Sequence, residues 1–257
     1  MWRGTLTIGK LEVDVKFYSA VTDRQTHFHL LHKRDRTRVE QRMVDPDTDR
    51  PVDSDRVQKA FEAEQGIFIP LSRDELDALE PAASRTINIT RFVRRELIEP
   101  EFFDRPYFLG PDTETSTDYF ALTKALARKN VAGIATWVMR GTAYAGALLA
   151  ERECLTMIAL RHADEVIPAD ALEPPPGATP EPKERELATK LIEALSGKLD
   201  LEVYHDSFQD RVRELIDAKR RGKRLPRSKR PSRSAPASSL ADALKTSLQS
   251  VSTRRRS

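Results

Sequence analysis

Residues 5–17 read TLTIGKLEVDVKF, and their alternation decides the fold class. Leu11, Val13, Val15 and Phe17 share one face of an extended chain, opposite Glu12, Asp14 and Lys16, because successive strand side chains point to opposite sides. Leu6 and Ile8 share a face just before them. The apolar parity switches across Gly9 and Lys10, so a bulge or sharp bend is expected there to keep both halves on one core. This is the pattern of a half-buried antiparallel strand, of the kind found in barrels.

The rest of the body extends that architecture. Strand-like runs recur at IFIPL (67–71), RTINITRFV (85–93), GIATWVMR (133–140), AGALLA (145–150) and CLTMIAL (154–160). FFDRPYFL (102–109) reads as an edge strand broken by Pro106. Residues 53–64 read as a polar turn or short helix. SRDELDAL (72–79) is a short helix with Ser72 as N-cap and Glu75 in the capping-box position. The best helix of the body spans 117–129, capped by Ser116 or Thr117. The fold class is therefore mainly β with α.

A proline-rich linker covers 173–183. Beyond it, 184–219 holds two amphipathic helices whose stripes, Leu187/Leu191/Leu195 and Phe208/Val212/Leu215, are able to pack on each other. Gly197 is expected to close the first helix, and Asp206 to cap the second with Gln209 as its capping-box partner. Residues 220–257 form a basic tail, Pro/Ser-rich in its first half and expected to be disordered there, with one weak helix through Leu240, Ala243, Leu244, Leu248 and Val251.

Charge is unevenly placed. Residues 219–257 carry 13 Lys or Arg and one acid, a net +12, while the other 218 residues carry 30 bases and 39 acids, a net −9. An acidic body with a basic tail points to an anionic partner, nucleic acid or membrane surface. Any nucleic-acid site on the body must then be a local basic patch. A single cysteine, Cys154, excludes an intrachain disulfide framework and fits a reducing cytosol. No secretory signal and no apolar run of spanning length is visible, so a soluble, cytoplasmic protein is expected.

The local patch is HFHLLHKRDRTRVEQR at 27–42. From Asp35 on it reads as extended, which would align Arg36, Arg38, Glu40 and Arg42 on one face. Two readings stand: a charged edge strand protected from aggregation, or a face that grips phosphates without reading sequence. On the second reading the phosphate contacts would be Lys33, Arg34, Arg36, Arg38 and Arg42, with Arg3, Lys16 and Arg24 as helpers and Lys219, Arg220, Arg221, Lys223 and Arg224 from the tail.

Catalytic patterns are missing. There is no phosphate-cradling glycine loop, CxxC pair, HExxH or nucleophile elbow, so no enzyme and no cofactor is expected. Asp45, Asp47 and Asp49 begin like a calcium loop, but Arg50 stands where glycine is needed and Arg56 where glutamate is needed. His27, His29 and His32 lack a fourth ligand, so no metal is assigned.

WRGTLTIGKLEVDVKFYSA (2–20) resembles the opening of the prokaryotic Ku family. The likeness continues collinearly through FHLLHKRDRTRVEQR (28–42), FFDRPYFLGP (102–111), RHADEV (161–166) and ELATKLIEALSGKLDLEVYHDSFQDRVRELIDAK (186–219). The resemblance implies a Ku-type β-barrel over 1–172, with a bridge insertion at 27–66 that interlocks with a second copy into a ring around a double-stranded DNA end. It implies a non-catalytic homodimer acting in non-homologous end joining. It also implies that 184–219 recruits an ATP-dependent, multifunctional DNA ligase of the ligase D type. Val39, Val44 and Val57 are assigned to the dimer interface, and Glu184, Glu186, Asp210 and Glu214 to the ligase. A runner-up reading is a nucleic-acid-binding barrel acting at internal sites. Other members carry a cysteine pair after the basic strand, where this chain has Met43 to Asp49.

Overall fold

The structure, a computed structural model, describes residues 2–113, 116–172, 177, 179–223 and 239–254. Its strands are β1 (Trp2–Ile8), β2 (Leu11–Ser19), β3 (Lys59–Glu64), β4 (Ile67–Leu71), β5 (Thr86–Arg94), β6 (Phe103–Pro111), β7 (Val131–Met139), β8 (Thr142–Glu151) and β9 (Cys154–Leu160). Its α-helices are α1 (Arg73–Leu79), α2 (Thr117–Lys129), α3 (Pro182–Leu195), α4 (Ser207–Arg220) and α5 (Leu240–Arg254). The described residues of 1–24 and 29–171 form one compact unit, and those of 25–28 and 172–257 another.

In the first unit seven strands close a barrel in the order β1-β2-β6-β9-β8-β7-β5, and a parallel β1–β5 pairing seals it. The opening stretch is a hairpin and not one bent strand. Gly9 and Lys10 are its two-residue turn, with Ile8 opposite Leu11, Leu6 opposite Val13, and Gly9 at φ +61°. In that register facing residues have unlike parity. The switch of apolar parity is what a two-residue turn requires if both strands are to face one core.

β6 is likewise no edge strand: it lies between β2 and β9. Pro106 is accommodated at a register irregularity against β9, where a ladder tolerates a missing N–H. The core is Leu6, Val13, Val15, Phe17, Ile87, Leu109, Trp137, Leu148, Leu155 and Met157, with Tyr119, Leu122 and Leu126 of α2 laid against it. The Tyr119 hydroxyl donates to the Leu109 carbonyl and accepts the Leu155 N–H at 3.1 Å. Burial pushes its phenol up to about 12.

No barrel strand comes from residues 20–85, so the excursion from the barrel is wider than 27–66. Residues 53–64 are not helical throughout. A single 3-10 turn (Ser54–Arg56) leads into β3, which pairs with β4. Ser72 and Glu75 form the expected reciprocal cap on α1.

In the second unit α3 packs against α5 and not principally against α4, contrary to the pairing expected of their stripes. α5 offers half-buried Ala241, Leu244, Leu248 and Val251, while Phe208 and Leu215 of α4 stay exposed. α5 falls within the span assigned to the tail, and it is the weak helix expected there. Of the stretch 219–236 expected to be disordered, 219–223 are ordered at the end of α4, and 224–236 lie outside the described residues, as do 173–176 and 178 of the linker. α3 ends at Ser196 in extended backbone, without Gly197 as its cap. Asp206 caps α4 through the N–H groups of Phe208 and Gln209. The Gln209 side chain does not complete a box, because its Oε1 accepts the Thr26 N–H at 3.0 Å.

Candidate nucleic-acid interface

The basic stretch forms a turn and not the continuous strand expected. Leu31 bridges Arg38, the His32 N–H donates to the Thr37 carbonyl at 2.8 Å, and the Arg36 N–H donates to the His32 carbonyl at 2.9 Å. Arg36 takes φ +62°, a conformation that breaks strand alternation. The cause is Asp35. Its Oδ1 accepts the Thr37 N–H at 3.0 Å, the Thr37 hydroxyl at 2.8 Å and shares a hydrogen bond with His32 Nδ1 at 2.9 Å, the local competition with extended structure that Asp favours. Hydrogen bonds from the Thr37 backbone, then its hydroxyl, then His32, hold the Asp35 carboxyl below its ordinary range.

The turn therefore breaks the alternation that would have lined its cations along one face. Lys33, Arg34, Arg36, Arg38 and Arg42 are all exposed. Among the described residues none of the five forms an ion pair.

Thirteen residues later the same turn recurs. Val44 bridges Pro51, the Asp45 N–H donates to the Arg50 carbonyl, the Asp49 N–H donates to the Asp45 carbonyl, and Asp49 takes φ +61°. Asp45 Oδ1 accepts the N–H groups of Asp47 and Thr48 at 2.9 and 3.1 Å. Each turn is thus closed by one carboxylate on backbone N–H groups. Among the described residues no three His, Cys, Asp or Glu side chains converge as a metal site.

The helper residues fare differently. Lys16 Nζ lies 3.0 Å from the Asp112 carboxylate and donates to the Asp112 carbonyl at 2.9 Å, while Arg3 lies 3.6 Å from the same carboxylate. The hydrogen bond from Lys16 holds the Asp112 carboxyl low. Both side chains thus share Asp112 on the barrel wall, with Lys16 the more enclosed and the Arg3 side chain 63% exposed. Arg24 is exposed in the stretch after β2. Lys219 and Arg220 end α4, where cations suit the helix dipole. Arg221, Gly222 and Lys223 wrap its C-terminus, with the Lys223 N–H on the Ala218 carbonyl at 2.8 Å. Arg224 lies outside the described residues.

Val39, Val44 and Val57 are exposed within the chain. The larger uncovered surface was missed from sequence. In the β3–β4 hairpin Phe61 faces Ile69, and Ile67 and Leu71 alternate onto the same side. Phe61 is 64% and Ile69 49% exposed. A lone two-stranded hairpin is marginal in water, and a contiguous apolar face of this kind marks an interaction surface. The signal was the apolar run after Gly66, read only as a strand.

Of the four acids assigned to the ligase, three are engaged locally. Glu184 accepts the Glu181 N–H at 3.0 Å in the α3 cap. Glu186 pairs with Lys190 at 2.6 Å, which holds its carboxyl low. Asp210 lies 3.4 Å from His205 and 3.6 Å from Arg213. Glu214 is exposed and forms no ion pair among the described residues. Nearby, Leu199, Leu201, Val203, Tyr204, Phe208 and Leu215 are all exposed, an apolar surface where an acidic one was expected. No helix among the described residues is long and apolar enough to cross a membrane.

Comparison with known proteins agrees with this geometry. The Ku70/Ku80 beta-barrel domain family matches residues 7–189. "Non-homologous end joining protein Ku 2" of Geotalea uraniireducens is 35% identical over 98% of both chains. "Non-homologous end joining protein Ku 3" of Saccharopolyspora erythraea is 36% identical over 94% of this chain and 93% of its own. The Anaeromyxobacter protein "Non-homologous end joining protein Ku" is 33% identical over 96% and 84%. A barrel with this excursion, matched along nearly its whole length by such relatives, makes the chain a member of the Ku family.

Proposed function

We propose that this chain is a non-catalytic, homodimeric ring that binds double-stranded DNA ends without sequence preference and recruits an ATP-dependent DNA ligase for non-homologous end joining. The observation that carries this reading is the excursion over 20–85. It adds no strand to the barrel, yet over 33–42 it carries five exposed cations without an ion pair among the described residues, and on β3–β4 an uncovered apolar face. Cations without carboxylate partners suit a phosphate backbone, and a second copy of the same face covers the hairpin. The ligase is assigned to the exposed apolar surface at 199–216, with Glu214 at its rim.

The decisive experiment compares a linear duplex with its closed circle at matched salt. A ring loads only where a duplex terminates, so the linear form binds tightly and the circle does not. Equal affinity would favour a barrel acting at internal sites. For the ligase, Phe208→Asp should remove stimulation of joining while end binding is kept.

A further inference from the structure

At the barrel end where β2 gives way to the excursion, a cavity of about 230 Å³ opens among Trp2, Phe17, Tyr107, Met139, Arg105 and Arg140. Its floor is core: Phe17 is 3% and Met139 8% exposed. Its walls are half-open aromatics. Trp2 meets Phe17 edge-on at 5.0 Å and 87°, and Tyr107 tilts against Phe17 at 5.6 Å. Its rim is cationic, with both guanidinium-bearing residues exposed.

Among the described residues neither Arg105 nor Arg140 forms an ion pair. Arg140 stands in the β7–β8 turn at φ +55°, with Gly141 beside it at φ +76°. The Glu80 carboxylate packs against Gly141, where an added Cβ would lie 2.7 Å from it, and forms no ion pair with Arg140. The body carries an excess of acids, so two unpaired arginines over an aromatic cavity are a local concentration of positive charge.

We propose that this cavity takes one unpaired terminal nucleotide of a DNA end, a deepening that rests on the end-binding reading above. Aromatic faces stack any base without reading it. Guanidinium groups pair with phosphate oxygens through fixed forks of donors. The cavity is smaller than the roughly 300–1,000 Å³ of small-molecule sites, which suits a single base and not a run of them. Its place matters too: the chain leaves the barrel at Ser19, on this end, to build the basic turn. The assigned roles are stacking for Trp2 and Tyr107, and phosphate contact for Arg105 and Arg140.

The test uses the full chain with blunt duplexes, with the same duplexes carrying one unpaired 2-aminopurine at the 3′ or 5′ end, and with a short single strand carrying it. Stacking on an aromatic wall quenches that base. Wild-type protein is expected to quench it and to bind the overhang about tenfold tighter than the blunt end, the scale of one base stack. Arg105→Ala with Arg140→Asn, both surface changes, should erase the overhang advantage and leave blunt-end affinity in place. Trp2→Leu should erase the quench.

Equal loss on blunt and overhanging ends would overturn the proposal, since the arginines would then be ordinary phosphate contacts. No quench by wild type would also overturn it. A change in sedimentation of the arginine variant would make the cavity a protein–protein contact, and the proposal falls. Equal wild-type affinity for linear and circular duplex sinks the ring instead; quench of the single strand would then still uphold the cavity.

Discussion

One oxygen of Asp35, Oδ1, accepts both the backbone N–H and the hydroxyl of Thr37, at 3.0 and 2.8 Å. This places an acid in the middle of the basic turn as its fastener. Simple electrostatics says that Asp35→Ala should tighten DNA binding by removing a negative charge. The geometry says the opposite: losing the fastener splays Lys33, Arg34, Arg36 and Arg38, and affinity falls. Anisotropy at fixed salt decides by sign alone. The Asp35 carboxyl lies below its ordinary 3.8 in the fold, so its contribution is complete above pH 3.8 and is lost only as pH falls through the depressed value. Binding should therefore show no Asp35-linked change between pH 6 and 8.

Arg36 lies at φ +62°, where glycine is at ease. Arg36→Gly should keep the turn and remove one cation, lowering the slope of log affinity against log salt by about 0.9. Arg36→Glu with Arg38→Glu should lower affinity by about two orders of magnitude or more, with the barrel's thermal midpoint unchanged. A double variant that binds normally would show that this turn faces away from DNA.

The apolar face of the hairpin gives a test of assembly. Phe61→Lys with Ile69→Lys places two charges on residues that are exposed within one chain, so the barrel should fold as before. Sedimentation at micromolar concentration is expected to shift from dimer to monomer, and end binding should fall with it.

Tyr119 gives a test of the barrel itself. Tyr119→Phe strands the Leu155 N–H and removes a donor from the Leu109 carbonyl, at a cost of about 1–3 kcal/mol. For a chain of this size that is a fall in thermal midpoint of about 2–4 °C per kcal/mol. Burial raises the folded phenol to about 12 from 10. Its contribution is thus full below pH 10 and is lost as pH rises from 10 toward 12, where the unfolded chain ionises first. Denaturant midpoints across that window should decline in wild type and decline less in Tyr119→Phe.

The barrel was legible because its strands carry period-two or continuous apolar runs, and burial is what such runs report. The hairpin at Gly9 was half-legible: the parity switch was plain, but bulge and turn produce the same switch. β6 was misjudged because a proline was taken to mean an edge, when a local irregularity serves as well. The basic residues are plain in the sequence as a group, yet their backbone geometry was hidden. An alternating TRVEQR pattern outweighed a single Asx-turn acid at Asp35. The β3–β4 face and the α3–α5 pairing lay beyond the sequence because both depend on which apolar surface is left over after packing.

The repeated turn has an electrical consequence. Residues 29–42 carry five bases and two acids, net +3, and residues 43–56 carry two bases and five acids, net −3. The pair is a dipole of zero net charge, and at physiological ionic strength its field fades within roughly 8 Å. In the proposed function such an arm would hold DNA on contact without attracting it from a distance, and the +12 of residues 219–257 would be the part able to steer. Capture and retention would then be separated along the chain. In stopped-flow measurements, salt should act on the association rate through the tail and on the dissociation rate through the arm. Truncation after Ala218 should flatten the first dependence and leave the second intact.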